Sequence, residues 1–177
     1  RPDEGLVFGL QAMRTAARQG RWLDVMAAGA FCAFMWAMLG HPERARTVLR
    51  EAIQAGERIQ SPGLGWVFRA RALLDLTFHE VVPRTLTDLQ DDRHIEQRQR
   101  VDTVFIALAD RALGNEAAAA EVLDTTDVPW IRRVLDGDRS EAVYEASDSG
   151  VDCFCLMHAL DGPPPRRDVP KATCSLL

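Results

Sequence analysis

The sequence has few cysteines, no apolar run long enough to cross a membrane, and no excess of positive charge. Four cysteines in 177 residues are too few for a disulfide framework, and Cys32 lies within the most apolar run, so we expect a reducing, cytoplasmic environment. That run, residues 25–39, is 15 residues long, whereas a membrane-spanning helix needs about 20. A net charge of -5 argues against a nucleic-acid binder, which would need a basic surface for phosphate contacts.

The sequence also lacks the signatures of catalysis and of metal binding. The glycine-containing segment at residues 61–65 has no lysine of the kind that a phosphate-binding loop requires, and no G-x-S-x-G elbow is present. The four histidines do not form the i, i+4 pair of zinc proteases. The C-x-C-x2-H cluster at residues 153–158 lies 16 residues from Cys174, which is not a standard zinc spacing. We therefore expect no enzymatic activity, no cofactor and no bound metal.

What the sequence contains instead is an internal repeat with a period of 37 residues. Shifting the chain against itself by this distance aligns four columns of identical residues. The columns are Phe31, Phe68 and Phe105; Ala33, Ala70 and Ala107; Leu39, Leu76 and Leu113; and Leu49, Leu86 and Leu123. Four three-way identities within about 25 residues exceed what composition alone produces, so one structural unit is repeated three times.

Within each unit the apolar residues have the spacing of two helices joined by a tight turn. Phe31, Met35 and Leu39 are four residues apart, which places them on one helix face. Gly40 and Gly114 stand at the break, where a residue that tolerates positive φ ends a helix tightly. Because such hairpins cannot bury their apolar faces alone, we predict an all-α stack of about three hairpins with helical caps.

The segments AFMWAMLGHPERARTVLREAI and IALADRALGNEAAAAEVL resemble the tetratricopeptide (TPR) repeat. In that pattern a small residue lies midway along the first helix, Leu-Gly forms the turn, and an alanine and then a large apolar residue follow in the second helix. The matching positions are Ala33, Ala70 and Ala107; Gly40 and Gly114; Ala45 and Ala119; and Leu49, Leu86 and Leu123. The period of 37 exceeds the usual ~34 residues. Thr77 replaces the turn glycine of the middle unit, and Pro83 falls in its second helix. We therefore predict a TPR-like α-solenoid with an irregular middle hairpin.

The repeat also predicts how the chain is divided into domains. The resemblance covers roughly residues 5–126, and residues 5–19 align with the second helix of an earlier unit, which leads us to expect a piece of a longer array. Beyond it, residues 127–137 and 139–146 predict two short capping helices, with Asp127 as the N-cap of the first. We predict one TPR-like domain over residues 1–146 and a flexible, proline-containing tail over residues 147–177.

The resemblance implies a binding surface as well. In TPR-like stacks the first helices of successive units line a concave groove that holds a peptide or helix of a partner protein. Carried over position by position, the groove is mainly apolar with two positive charges, and it consists of Phe34, Val67, Arg71, Leu74, Val104, Leu108 and Arg111. Because a guanidinium pairs with a carboxylate through two hydrogen bonds, we expect an apolar partner segment that carries an acidic group. This makes the chain a non-catalytic scaffold module.

Two other interpretations remain open at this level. The repeats also resemble the helical sensor regions of large bacterial ATP-dependent transcription activators, which implies a regulatory segment that binds a small ligand. The C-terminal residues 174–177, CSLL, fit a prenylation motif, which implies an adaptor that reaches a membrane only through a lipid on Cys174. The last three residues also fit the ending that PDZ domains capture. The sequence does not predict an oligomeric state.

Overall fold

The computed structural model describes residues 2–91, 96–147 and 149–169, and every regular element in these ranges is a helix. The predicted all-α class is confirmed for this part of the chain. None of the described helices is long and apolar enough to span a membrane. In chain order the helices are α1 (Pro2–Arg18), α2 (Trp22–Met38), α3 (Pro42–Arg58), α4 (Leu64–Thr77), α5 (Pro83–Asp91), α6 (Glu96–Ala112), α7 (Glu116–Thr125), α8 (Pro129–Leu135), α9 (Glu141–Ala146) and α10 (Gly150–Asp161).

The turn after the first helix of a hairpin is a Schellman motif, in which two N–H groups satisfy carbonyls of the last helical turn. After α2, the Gly40 N–H donates to the Ala37 carbonyl and the His41 N–H donates to the Trp36 carbonyl. Gly40 takes the left-handed φ of 75° that this motif requires, and Gly114 has a φ of 96° at the same position after α6. Both glycines therefore end their helices as the sequence predicts.

The middle hairpin differs from the other two. Thr77, which aligns with the turn glycines, is instead the last residue of α4, and its buried hydroxyl donates to the Leu73 carbonyl at 2.7 Å. The Schellman motif forms two residues later, with His79 at a φ of 57°. Pro83 is the first residue of α5, where its missing N–H removes no helical hydrogen bond. The middle hairpin is thus irregular, as Thr77 and Pro83 indicate.

The helices of the repeat are not evenly spaced. The second helices of the three units begin at Pro42, Pro83 and Glu116, which are 41 and then 33 residues apart. The 37-residue period is therefore an average over unequal units. Within a single aligned column, Leu39 directly follows α2, whereas Leu76 lies inside α4. The two helices of the first hairpin, α2 and α3, pack against each other, as do α6 and α7 of the last, and the TPR-like solenoid stays a prediction.

The chain forms two compact units. The first unit combines the described residues up to Arg71 with those from Pro164 onwards, and the second runs from Ala72 to Pro163. In the first unit α2 packs against both α1 and α3. In the second unit α6 packs against α5 and α7, and α8, α9 and α10 contact one another. Fully buried large side chains include Leu6, Trp36, Val48 and Leu49 in the first unit and Leu73, Phe105, Ile131 and Leu156 in the second.

A packed helix lies within the predicted flexible tail, so the predicted domain boundary at residue 146 is wrong. The Ser149 hydroxyl caps this helix, α10, by accepting a hydrogen bond from the Asp152 N–H at 3.3 Å. Residues 153–157 are all buried, and α10 contacts α8 and α9. The sequence reading missed α10 because its apolar run is short and is followed closely by three prolines, which favour an extended chain.

Two short helices, α8 and α9, lie where the capping helices were predicted. α8 begins at Pro129, and its N-cap position is occupied by Val128 rather than by Asp127. Ser140 precedes α9. Because both helices contact α10, they belong to the core of the second unit and do not simply cover the end of a repeat stack.

Candidate functional site

The residues predicted to line a concave groove differ in their accessibility. The apolar ones are at most 6% exposed and belong to the core; they are Phe34, Val67, Leu74, Val104 and Leu108. Arg71 is partly exposed, with its guanidinium 5.0 Å from the centre of the Phe68 ring, and Arg111 is exposed. In this conformation a partner can reach the two arginines but not the five apolar side chains. Apolar periodicity marks the buried face of a helix, and the sequence reading assigned that face to a groove.

Most of the exposed large apolar side chains in the described part of the first unit lie on α1 and α2 instead, and Ile59 after α3 is the remaining one. Leu23, Ala27 and Phe31 follow one another at intervals of four residues along α2, and all three are exposed. Met35 continues this row and is partly exposed. We call these four residues the α2 stripe. On α1, the Phe8 side chain is 72% exposed, compared with 57% for Leu23 and 47% for Phe31.

Close packing between α1 and α2 positions the Phe31 ring. A Cβ atom added to Gly5 would lie 3.8 Å from this ring, and one added to Gly9 would lie 3.4 Å from it. The same atom on Gly9 would lie only 2.5 Å from Sγ of the buried Cys32. Gly9 therefore allows the α1 backbone to approach α2 closely, and Phe31 rests against the same part of α1.

The sequence contained a signal for this surface that the repeat alignment did not use. α2 has a single charged residue, Asp24, so it has too few polar side chains to cover a face directed at solvent. A helix that is apolar all round either lies in a larger core or contributes to an interface. The alignment placed Phe31 in one column with Phe105, although Phe31 is 47% exposed and Phe105 only 1%.

A small cleft of about 220 Å³ opens between α1, α2 and α3. Its floor consists of apolar residues, including the buried Met13, Val25 and Ala55. Trp22 forms one side, and the Arg58 guanidinium lies 4.2 Å from the centre of the Trp22 ring. Arg14, Glu51 and Gln54 complete the rim. The cleft thus combines an apolar base with two guanidinium groups and one carboxylate, an arrangement suited to a small apolar carboxylate.

An extended segment after α10 packs against the turn between α2 and α3. We call residues 164–167, which belong to the first unit, the strap. The Arg167 N–H donates to the Leu39 carbonyl at 2.9 Å, and the Arg167 carbonyl accepts a hydrogen bond from Nε2 of His41 at 2.7 Å. The Arg166 guanidinium pairs with the Glu43 carboxylate at 2.9 Å. Both backbone groups of one strap residue are therefore hydrogen-bonded to the turn.

Gly40 makes room for the strap. A Cβ atom on this residue would lie 2.5 Å from the Pro165 carbonyl oxygen and 2.7 Å from Cα of Arg166. These are backbone atoms, which cannot rotate away. Gly114 has the equivalent place after α6, and a Cβ there would meet nothing within 4 Å. Of these two turn glycines, only Gly40 has the backbone of a second chain segment packed against it.

The strap contact combines two hydrogen bonds to the backbone of Arg167, one of them from a buried imidazole, with one exposed ion pair. His41 is buried, and because a carbonyl oxygen can only accept, Nε2 of His41 must carry the hydrogen in its bond to Arg167. Partial burial raises the pKa of the Glu43 carboxyl, but a backbone hydrogen bond and the charge of Arg166 outweigh this effect and leave the pKa below its usual value. Glu43 is therefore charged at neutral pH and available to Arg166.

The thiol groups of the described cysteines are shielded. Cys32, Cys153 and Cys155 are buried, and burial raises the pKa of the Cys32 thiol to about 12. Burial also raises the pKa of Cys153. Within the described ranges no group of three histidine, cysteine or acidic side chains is arranged to hold a metal ion. Cys174, the predicted lipidation site, lies outside the described residues.

Comparisons with protein-family models, with curated proteins and with solved structures find no match. The TPR-like resemblance therefore depends on the residues of this chain and on its helical hairpins alone. The described residues offer three candidate binding surfaces: the α2 stripe, the cleft at Trp22 and the turn that holds the strap.

Proposed function

We propose that this chain is a non-catalytic protein–protein interaction module that docks an apolar helix or peptide of a partner on the α2 stripe and Phe8. The observation that carries the proposal is the row of exposed apolar side chains on a helix with a single charged residue. Isolated exposed apolar residues are common on protein surfaces, but a continuous apolar surface of this kind is typical of an interaction site.

The stripe and its surroundings indicate what the partner segment looks like. From Leu23 to Met35 the stripe follows 12 residues of α2, or about 18 Å of helix length. An amphipathic helix of three to four turns with apolar residues at i, i+4 and i+8 would match it. Arg18 and Arg21 lie at the turn before the stripe and are exposed. Arg21 pairs with Asp24, so Arg18 supplies the positive charge that favours a partner with an acidic group at the corresponding end.

Affinity capture from native cell extract, with identification by mass spectrometry, tests this function. The variant Phe8→Asp/Leu23→Asp places charge in the proposed interface, and both side chains are exposed enough for the fold to tolerate the change. Val82→Asp is the matched control, because Val82 is also an exposed apolar residue but lies in the second unit.

We expect a partner that binds the wild type and Val82→Asp and is lost from Phe8→Asp/Leu23→Asp, with circular dichroism showing that all three stay helical. The partner should contain an amphipathic helix that binds the chain directly as a synthetic peptide. If the three forms capture the same proteins, the α2 stripe is not the binding surface.

A second candidate function is a regulatory sensor segment, and the cleft at Trp22 favours it. At about 220 Å³ the cleft is smaller than the roughly 300–1,000 Å³ of typical ligand pockets, so it suits a small carboxylate rather than a large cofactor. Thermal unfolding of the full chain with a panel of aliphatic and aromatic carboxylates tests this role. Arg50→Ala is the control, because Arg50 is an exposed arginine of the same helix. The sensor role is supported if a carboxylate raises the unfolding temperature of Arg50→Ala but not that of Arg58→Ala. It is refuted if the carboxylate raises both unfolding temperatures equally.

A membrane-associated adaptor is the third interpretation. It depends on prenylation of Cys174, whose surroundings lie outside the described residues. The intact mass of protein made in a eukaryotic cytosol tests this interpretation. A mass increase equal to one prenyl group, present in the wild type and absent from Cys174→Ser, would establish the lipid anchor. Unmodified protein under these conditions would remove this interpretation.

A further inference from the structure

We propose that the turn between α2 and α3 is a peptide-binding site that its own strap occupies, and that it accepts an extended Pro-Arg-Arg segment of a partner protein when the strap is displaced. None of the site's residues belongs to the α2 stripe, so this inference does not depend on the docking proposed above. The bound strap itself shows the chemistry of the ligand: an extended backbone, prolines, and an arginine that reaches Glu43.

The backbone of the strap is recognised independently of its side chains. The N–H and the carbonyl of Arg167 are both hydrogen-bonded to the turn, at 2.9 Å and 2.7 Å. Any extended peptide can offer this pair of groups, provided that the residue at this position is not proline. The hydrogen bond to the Arg167 carbonyl is donated by the buried imidazole of His41. If the strap leaves and nothing replaces it, this donor loses its acceptor, which costs free energy.

The glycine of the turn provides the second argument. His79 completes the equivalent Schellman motif after α4 at a φ of 57°, so a helix of this chain can end in the same way without glycine. What Gly40 adds is space, because a Cβ atom would lie 2.5 Å from the Pro165 carbonyl oxygen. Glycine at this turn therefore serves the approach of a peptide backbone as well as the end of α2.

Side chains determine which peptide fits. Three consecutive prolines at residues 163–165 pre-organise an extended conformation, so little conformational entropy is lost on binding. The pair between Arg166 and Glu43 is exposed, with 67% of the arginine side chain accessible. An exposed pair of this kind contributes selectivity for charge more than affinity. The site therefore prefers a basic residue after proline and rejects an acidic one.

The tether lowers the apparent affinity for a peptide in trans. The strap belongs to the same chain as the turn, so it binds intramolecularly and its local concentration at the site exceeds that of a peptide in dilute solution. A competing peptide binds only to the fraction of molecules whose strap has left. Weakening the strap without altering the turn should therefore increase binding of the same sequence in trans.

Fluorescence anisotropy with the labelled peptide DGPPPRRD, which corresponds to residues 161–168, tests the proposal on the full chain. In Arg166→Glu/Arg167→Pro the strap loses its ion pair and its N–H donor. We expect this variant to bind the peptide at least about tenfold more tightly than the wild type does. Adding Gly40→Ala to this variant should abolish peptide binding, because the new methyl group occupies the space of the peptide backbone. Gly114→Ala is the control, since it places alanine at a similar positive φ in a turn that no strap contacts, and it should leave peptide binding unchanged.

Charge removal provides the specificity control. In the opened variant, Glu43→Gln should weaken binding of DGPPPRRD and reduce its preference over the peptide DGPPPEED, because the neutral amide removes the charge of the site without forming a new ion pair with the strap. If the double substitution unfolds the chain, Arg166→Glu alone serves in its place, since this side chain is largely exposed, and about threefold tighter binding is then expected. The proposal is wrong if no strap variant binds the peptide more tightly than the wild type does. It is also wrong if the opened variant binds the peptide equally well with and without Gly40→Ala. In either case the strap stabilises the fold and does not occupy a peptide-binding site.

Discussion

Gly29 lies in the middle of α2, where the lack of a side chain lets α3 approach closely. A Cβ atom at this position would lie 2.8 Å from Cβ of Ala52, and neither atom can rotate away. The close contact of the two helices therefore depends on one hydrogen atom in place of a methyl group. Gly5 on α1 is different, because a Cβ there would be 3.8 Å from its nearest neighbours, which is ordinary van der Waals contact.

The substitutions Gly29→Ala and Gly5→Ala should consequently have opposite effects on the free energy of unfolding. Gly29→Ala should destabilise the chain by about 1–3 kcal/mol, since the clash with Ala52 outweighs the gain in helix propensity. Gly5→Ala should be neutral or stabilise the chain by up to about 1 kcal/mol. Urea unfolding followed by circular dichroism measures both values. A stabilised Gly29→Ala variant would mean that α3 can move aside without loss.

Some helix ends were predicted correctly from single residues, and others were not. Gly40 and Gly114 were identified as helix ends because the requirement for positive φ is local. His79 was not identified, although it takes the same conformation, because a histidine in this region of backbone space is uncommon and no sequence rule predicts it. Ser149 was missed as a cap because the helix that it begins had not been predicted.

At the level of elements, Arg139 connects three parts of the second unit. Its guanidinium donates to both carboxylate oxygens of Asp161 at the end of α10, with a distance of 2.7 Å for the Nη2–Oδ1 pair. It also donates to the Val134 carbonyl near the end of α8. Hydrogen bonding by Arg139 is the main cause that lowers the pKa of Asp161 below its ordinary value of 3.8. This pair holds the end of α10 against the segment between α8 and α9.

The variant Asp161→Asn should lose this contribution in a pH-dependent manner. Because the pKa of Asp161 is lower in the folded state, its stabilisation is complete above the ordinary value of 3.8 and is lost as the pH falls through the lower folded value. The pair is partly exposed, so we expect a loss of only about 0.5–1 kcal/mol at neutral pH. Denaturant unfolding near neutral pH and near pH 2 should show a difference from wild type that shrinks in acid. A difference that is constant with pH would contradict this role for the pair.

At the level of the whole molecule, the buried cysteines report on the two units separately. Cys32 lies in the first unit, and Cys153 and Cys155 lie in the second. A thiol reacts as its thiolate, so burial and the pKa of about 12 both protect Cys32 while its unit is folded. Labelling rates at these positions therefore measure how often each unit opens.

In a Cys174→Ser background, we expect all three thiols to react at least ~100-fold more slowly with a maleimide in buffer than in denaturant. Peptide mapping by mass spectrometry resolves the two units. Labelling of the second unit at denaturant concentrations that leave Cys32 protected would show that the units unfold independently. Rapid labelling of Cys153 or Cys155 in buffer would contradict the packing of α10 against α8 and α9.

Features that depend on local chemistry could be predicted from the order of the residues alone. Helical periodicity predicted an all-α chain, turn glycines marked the ends of α2 and α6, and Pro83 indicated a helix start or a kink. These are properties of a residue and its near neighbours along the chain, and they hold whatever packs against them. The repeat of 37 residues likewise indicated hairpins, although the helices themselves begin 41 and 33 residues apart.

Which apolar side chains face the core and which face solvent depends on how the helices pack against one another. Phe31 and Phe105 share a column of the repeat, but one is exposed on the α2 stripe and the other is buried, because burial depends on the helices that happen to pack against each face. The dependence of burial on packing also explains why the prediction of a flexible tail was wrong. Residues 153–157 become core through contacts of α10 with α8 and α9, and the prolines that follow become a strap because Gly40 leaves room for Pro165.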